Sequence, residues 1–284
     1  MKIYPLQFEK IYIEKVWGKN QIDLYNYKND EKKIGEVLLL SDGFYKSVVK
    51  NGELKNKDFT YVMNHYAKNL IGEDKFSFPF TVKLIITSDV LSYQVHPSSK
   101  SEVMYFLNDS LMKGGLKRYV RKEEIENNPK ILLDEIKDYN MKAGDTCYIK
   151  PGTLHSLGPD TSVFEISDNV DITYRLYDFD RGRELNLKQG LETLAPLSDL
   201  EISNKSCFKG RIYVKEEKVE GRNIIEEDEN FKIIIPLEGK LAIETNTDYF
   251  DMDNFEVTLV PYDVTGYSIV GYGRYLDIKP NNLI

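Results

Sequence analysis

Apolar residues along this chain fall into short blocks rich in β-branched and aromatic side chains, not into long helical stripes. FTVKLIIT, VLSYQVH, TCYIKP, SVFEIS, FKIIIPLE, KLAIET and FEVTLVP are each bounded by Gly, Pro, Asn or Asp, the punctuation of strands and turns. Helical periodicity is scarce. Asp58 to Leu70 opens on a capping-type Asp, carries Val62, Tyr66 and Leu70 at four-residue spacing and stops at Gly72, which predicts an amphipathic helix. Glu123 to Lys137, interrupted by Pro129, and Leu185 to Leu194 predict two more short ones. The pattern therefore predicts an all-β fold with a few decorating helices.

One internal echo bears on architecture. GDTCYIKPGTLHSLG, Gly144 to Gly158, and NFEVTLVPYDVTGYSIVG, Asn254 to Gly271, share a plan of strand, proline turn and returning strand, so two copies of one β unit are expected. The polar stretch Ala195 to Ser206 reads as the boundary, giving a domain over 1–197 and a smaller one over 206–284. The first copy has His155 after its turn. The second has Thr265 near that place, and no His follows residue 155, so any metal chemistry belongs to the first.

Composition narrows the class of function. With 284 residues, 41% of them hydrophobic, the chain fills a sizeable core, and a net charge of -8 argues against nucleic acid as partner. Two cysteines, Cys147 and Cys207, exclude a disulfide framework and fit a reducing compartment. No apolar run approaches the ~20 residues of a membrane span, and MKIYPLQFEKIYIEK is too charged for a signal peptide, so a cytoplasmic protein without membrane contact is expected.

The three histidines separate by their company. His65 lies in the helical segment beside Tyr66 and reads as a surface or packing residue. Gln94 and His96, two apart in LSYQVHP, project from one strand face. Five residues, PSSKS, then lead to Glu102, and a hairpin of that length would set His96 and Glu102 opposite each other with Cβ atoms ~5 Å apart. His155, after the turn in GTLH, is the natural further donor. A His and Glu on adjacent strands also make a plain hydrogen-bonded pair. Gln94, His96, Glu102 and His155 together are nitrogen and oxygen donors of the kind a catalytic Zn²⁺ takes.

On these and further stretches the chain resembles the type I phosphomannose isomerases, zinc enzymes of the cupin superfamily, in their short bacterial form. The resemblance runs through PLQFEKIYIEKVWG with Trp17 and Gly18, GEVLLLSD with SVVKNG, FPFTVKLI, LSYQVHP, KSEVMYFL, GDTCYIKPGTLHSLG and VFEISDNVDITYRLYDFDR, and is only general beyond about Leu200. It implies two cupin-like jelly-roll units and interconversion of mannose 6-phosphate and fructose 6-phosphate with one Zn²⁺ per chain. It places the zinc ligands on Gln94, His96, Glu102 and His155. It also places active-site residues at Lys83, Ser92, Lys100, Glu165, Asp171 and Arg175. Within that reading Glu165 and Asp171 are base candidates, and Arg175 stabilises developing negative charge. Lys83, Ser92 and Lys100 hold hydroxyls or phosphate. The partner implied is a hexose phosphate, and the assembly a monomer or homodimer.

Several of these residues also admit a plainer role. Lys83 interrupts an apolar strand, so it either faces a polar pocket or lies on an exposed edge. Arg175 suits phosphate or hydroxyl recognition, or an ion pair with Asp178 or Asp171. Cys147 reads as a small core residue. Alternatives in function are a sugar-phosphate-sensing cupin without turnover and a cupin isomerase for another sugar phosphate. Against the family pattern, only PSS separates His96 from Lys100, Met104 replaces a common Trp, and Pro151 directly precedes Gly152. The shortened turn predicts a more open pocket and a raised KM.

Overall fold

The computed structural model describes residues 2–75, 77–226 and 229–281. By contacts the chain divides into two units. One is made of Tyr12–Val37 and Lys83–Lys205, and the other gathers the N-terminal residues through Ile11, Leu38–Val82 and the chain from Ser206 onward.

The first unit holds the predicted site residues in a sandwich of two sheets. A five-stranded sheet runs in the order Ile136–Met141, Ser110–Leu116, His155–Leu157, Tyr93–Val95 and Tyr174–Tyr177. A seven-stranded sheet runs Glu201–Asn204, Asp145–Ile149, Glu102–Phe106, Ser162–Asp168, Phe80–Ile86, Ile34–Leu40 and Ile11–Lys19. The unit boundary falls within Ile34–Leu40 and Phe80–Ile86. Successive residues of a strand point to opposite faces, and this alternation builds the interior. Trp17, Ile85, Met104, Phe106, Cys147, Ile149 and Val163 from the larger sheet meet Met112, Met141 and Leu157 from the smaller one in a single apolar cluster. Two strand positions away on the same faces stand Lys15, Lys83, Glu102, Glu165 and His155. The sandwich is thus apolar at one end and polar at the other.

In the other unit a sheet is ordered Leu6–Gln7, Thr258–Val260, Lys232–Glu244, Tyr267–Pro280, Ile212–Ile225 and Ser206–Lys209, with Tyr249–Met252 also paired to Lys232–Glu244. Its long strands bend at glycines. Gly239 has φ 91°, and a Cβ there would lie 2.0 Å from the Tyr272 carbonyl oxygen, so no other residue fits. The predicted helix is Phe59–Ile71, capped by the Asp58 carboxylate accepting from the Tyr61 amide at 2.7 Å and ended by Gly72 at φ 78°. Val62 and Leu70 are buried as expected, and Tyr66 sits at a kink. Lys122–Asn127 stops before Pro129, as the proline requires, and Leu187–Thr193 is the last predicted helix. Among the described residues no helix is long and apolar enough to cross a membrane.

Three features depart from expectation. The units are not sequential along 1–197 and 206–284, because Leu6–Gln7 pairs with Thr258–Val260 and Phe8, Phe59, Phe78 and Phe231 form a chain of ring contacts, which draws the N-terminal segments to the C-terminal sheet. Residues 195–206 are also not a bare linker, since Glu201–Asn204 forms an edge strand on Asp145–Ile149. The two echoing segments differ as well. Asp145–Ile149 and His155–Leu157 lie in different sheets, whereas Thr258–Val260 and Tyr267–Pro280 share one.

Candidate active site

Three adjacent strands of the smaller sheet place a row of polar side chains on the inner face. Gln94 pairs in register with His155 on one side and Arg175 on the other. Ser92 and His96 flank Gln94 on that face, while Tyr93 and Val95 turn away into a second apolar cluster. Glu102 begins an interior strand of the opposite sheet. The hairpin expected between His96 and Glu102 does not form; the tight turn closed by Lys100 N donating to Pro97 O at 3.0 Å carries the chain across the sandwich. Glu102 therefore meets His96 face to face, with Nε2 and Oε1 3.0 Å apart.

The donor atoms converge. His155 Nε2 lies 3.6 Å from Glu102 Oε2 and 3.3 Å from Gln94 Nε2, and one ligand-type atom from each of His96, Glu102 and His155 falls within 4.8 Å of the others. Both imidazoles have their tautomer fixed from behind. His96 Nδ1 donates to the Ile172 carbonyl and His155 Nδ1 to the Thr153 carbonyl, each at 2.9 Å, leaving both Nε2 lone pairs facing inward. His96 Nε2 and Glu102 Oε2 are buried without a hydrogen bond, and Glu102 Oε1 is buried with the Lys100 ammonium 3.0 Å away. Leaving such groups dry and unsatisfied costs free energy, and a divalent cation among them removes that cost. Ser92 Oγ donates to Gln94 Oε1 at 3.1 Å. A half-turn of the amide, with the hydroxyl accepting instead, would turn Gln94 Oε1 inward as a fourth oxygen donor.

These groups open into a cleft of about 320 Å³ also lined by Lys15, Trp17, Glu36, Lys83, Lys100, Glu165, Asp171, Arg175 and Arg183. Charges alternate across its floor, one per strand. Glu165 lies 4.0 Å from Lys83, Lys83 3.6 Å from Glu36, and Glu36 2.9 Å from Lys15. Lys83 is thus on an interior strand facing the cleft, and its edge-strand alternative is excluded. Arg175 makes neither of the ion pairs considered for it. Arg183 and Arg181 take Asp178, and the Arg175 Nε is buried without a hydrogen bond. Asp171 lines the cleft from an exposed position. Lys100 Nζ is 3.0 Å from Glu102 Oε1, with side-chain exposures of 4% and 1%.

Burial and these neighbours set the protonation states. Burial pushes the His155 pKa down to about 4, with neighbouring His96 acting in the same direction, so the ring is neutral and able to ligate. Burial acts to raise the Glu102 carboxyl, but His96 and Lys100 outweigh it and hold it well below the usual range. Burial and then Glu102 raise Glu165. Burial works against the Lys83 ammonium, and Glu36 and Glu165 outweigh it, so its pKa is raised.

Sequence reading missed Lys15, Glu36, Thr173 and Arg183. Glu36 carried the same signal as Lys83, a charge inside the apolar strand IGEVLLL. His65 lies on the helix surface, stacked on Tyr61 at 4.1 Å between ring centroids, and Cys147 is in the core.

Residues 6–126 match the family model for the catalytic domain of type I phosphomannose isomerase. The "Probable mannose-6-phosphate isomerase GmuF" of Bacillus subtilis is 32% identical over 209 residues, 66% of this chain and 65% of that protein. Residues 6–126 are thus similar to the catalytic domain of the type I phosphomannose isomerases. A second relative, the mannose-6-phosphate isomerase ManA of Bacillus subtilis, is 24% identical over 96% of this chain and 98% of its own. The crystal structure of the mannose 6-phosphate isomerase from Bacillus subtilis superposes with a TM-score of 0.87 at 22% identity, covering 97% of this chain and 99% of that one. A zinc-bound mannose 6-phosphate isomerase gives 0.79 at 11%, covering 98% and 100%. The fold is that of the phosphomannose isomerases, a cupin fold. The matched stretch 6–126 contains Lys83, Ser92, Gln94, His96, Lys100 and Glu102. His155, Glu165, Asp171 and Arg175 lie outside it; the first two and Arg175 join the cleft through strand pairing, and Asp171 lines it from the segment between Ser162–Asp168 and Tyr174–Tyr177.

Proposed function

We propose that this chain is a zinc-dependent aldose–ketose isomerase interconverting mannose 6-phosphate and fructose 6-phosphate, working in the cytoplasm, with one Zn²⁺ per chain. The observation that carries the reading is the convergence of buried donor atoms, with His96 Nε2 and Glu102 Oε2 making no hydrogen bond, beside neutral His155 and in one cleft with an Arg175 that has no carboxylate partner among the described residues. Gln94, His96, Glu102 and His155 would hold the ion. When bound, the ion supplies Lewis acidity toward the sugar oxygens at C1 and C2.

The remaining work falls to side chains. Converting the aldose requires removal of the C2 proton, formation of the C1–C2 double bond of a cis-enediol as O1 gains a proton, and return of a proton to C1 as O2 loses one. Glu165 is the favoured base. It is buried, its Oε1 makes no hydrogen bond, and its raised pKa suits a group that both takes and returns a proton near neutral pH. Asp171, more exposed, is the second candidate. Arg175 stabilises negative charge developing on the sugar oxygens, since no carboxylate neutralises it beforehand. Lys83, Ser92 and Lys100 hold hydroxyls or phosphate, and Trp17 and Met104 wall the cleft.

This freedom of Arg175 favours an enzyme over a binding module without turnover, which has no charge to stabilise in a transition state. The test is a coupled assay for fructose 6-phosphate formed from mannose 6-phosphate by wild type and His155→Ala. Turnover by the wild type alone is expected. Equal turnover by both would remove the metal from the reading.

A further inference from the structure

Ser101 stands between Lys100 and Glu102, and one residue grips it three times. The Asp168 carboxylate Oδ2 accepts from Ser101 N at 2.9 Å and from Ser101 Oγ at 2.8 Å, and Asp168 N donates to Ser101 O at 3.1 Å. Both residues are buried, at 4% and 6% exposure. Asp168 ends the strand Ser162–Asp168, whose Ser167 is the cross-strand partner of Glu102. Four residues further on, the Ile172 carbonyl accepts from His96 Nδ1. One segment, 168–172, therefore supports a donor from each of the two facing sheets.

We propose that Asp168 is a positioning residue for the metal centre. Its grip on Ser101 fixes the crossing turn at its far end, so that the Glu102 carboxylate and the Lys100 ammonium are presented to the cleft in one geometry. The turn Pro97–Lys100 is short, and a strand that starts directly after a turn has no hydrogen-bonded residue ahead of Glu102 to set the angle of its side chain. Asp168 supplies that constraint from the neighbouring strand. The carboxylate is suited to the task because a single oxygen takes both the amide and the hydroxyl of Ser101, and charge-assisted bonds of this kind are the stronger ones. Groups that orient ligands in this way alter metal affinity by about 10- to 100-fold when removed.

The inference rests on the metal reading given above, and its test separates the two. The zinc dissociation constant of the intact chain is measured by competition with a chromogenic chelator, for wild type, Asp168→Ala, Asp168→Asn, Ser101→Ala and Asp199→Asn, each checked for native circular dichroism. Asp199 belongs to a separate ionic cluster with Lys137 and Tyr139 and serves as control. Asp168→Ala is expected to weaken zinc by about 10- to 100-fold, Asp168→Asn by less because an amide oxygen still accepts, and Asp199→Asn by under twofold. Should Asp168→Ala fail to fold, a weakening in Asp168→Asn that Ser101→Ala reproduces and that does not add in the double variant supports the role equally. Folded Asp168→Ala or Asp168→Asn chains binding zinc within twofold of wild type would overturn the role of Asp168 alone. A wild-type chain that binds no zinc would overturn the metal reading and this inference with it.

Discussion

Replacing Lys83 by Met keeps the stem and deletes the ammonium that stands between two carboxylates, 3.6 Å from Glu36 and 4.0 Å from Glu165, with all three side chains at most 15% exposed. At an effective dielectric of about 20 each contact is worth about 4 kcal/mol before desolvation is counted. Breaking a buried pair by removing one partner costs about 3–5 kcal/mol. Glu36 keeps Lys15 at 2.9 Å, which offsets part of the loss, so about 3 kcal/mol is expected at neutral pH. Both carboxylates set the sign of the pH dependence. The Glu165 pKa is already raised by burial and Glu102, and losing Lys83 raises it further, so the variant loses stability relative to wild type as pH rises through the carboxylate range. For Glu36, burial acts upward and Lys83 and Lys15 bring the net shift down; part of that stabilisation, present above the ordinary carboxylate pKa, disappears. Urea unfolding of metal-free wild type and Lys83→Met at pH 5 and pH 8 checks this. The deficit should be larger at pH 8. A deficit under about 0.5 kcal/mol at both pH values, the ordinary range for surface substitutions, would show that Lys83 is solvated and that the alternating floor of the cleft does not bind these strands together.

Two further outcomes are expected. Arg175→Lys should lower kcat by about 100-fold, the scale seen when one donor to a developing oxyanion is lost, with KM and metal content nearly unchanged, and steady-state kinetics with elemental analysis check it. Lengthening the turn between Pro97 and Lys100 by a few residues should lower the KM for mannose 6-phosphate and sharpen selectivity over other hexose and pentose phosphates, because added residues there would contribute contacts to the substrate; competition kinetics on parent and graft decide it.

Much of the site was legible because a strand exposes its chemistry by alternation. Gln94 and His96 could be assigned to one face from spacing alone, and Lys83 stood out as a charge in an apolar block. Glu36 carried that same signal. What spacing cannot give is the partner sheet. PSSKS reads equally as a hairpin or as a crossing turn, and the choice is made by packing, where Met104 and Phe106 enter the apolar cluster from one sheet and Met112 and Leu157 from the other. The fate of Arg175 was likewise hidden, since Asp178 and Asp171 lay close in sequence and only the structure gives Asp178 to Arg183. The grouping of residues through Ile11 with the C-terminal sheet depends on pairing across most of the chain, as with Leu6 and Leu259, which no local pattern encodes.

The central claim, one catalytic metal held by His96, Glu102, His155 and Gln94, is tested most directly by titrating zinc into chelator-stripped protein while following fructose 6-phosphate formed from mannose 6-phosphate. The account predicts that the stripped chain is inactive, that activity rises in proportion to added zinc and breaks at about one equivalent per chain, and that His155→Ala stays inactive throughout. Full turnover by the stripped chain, or a break at two equivalents, would contradict it.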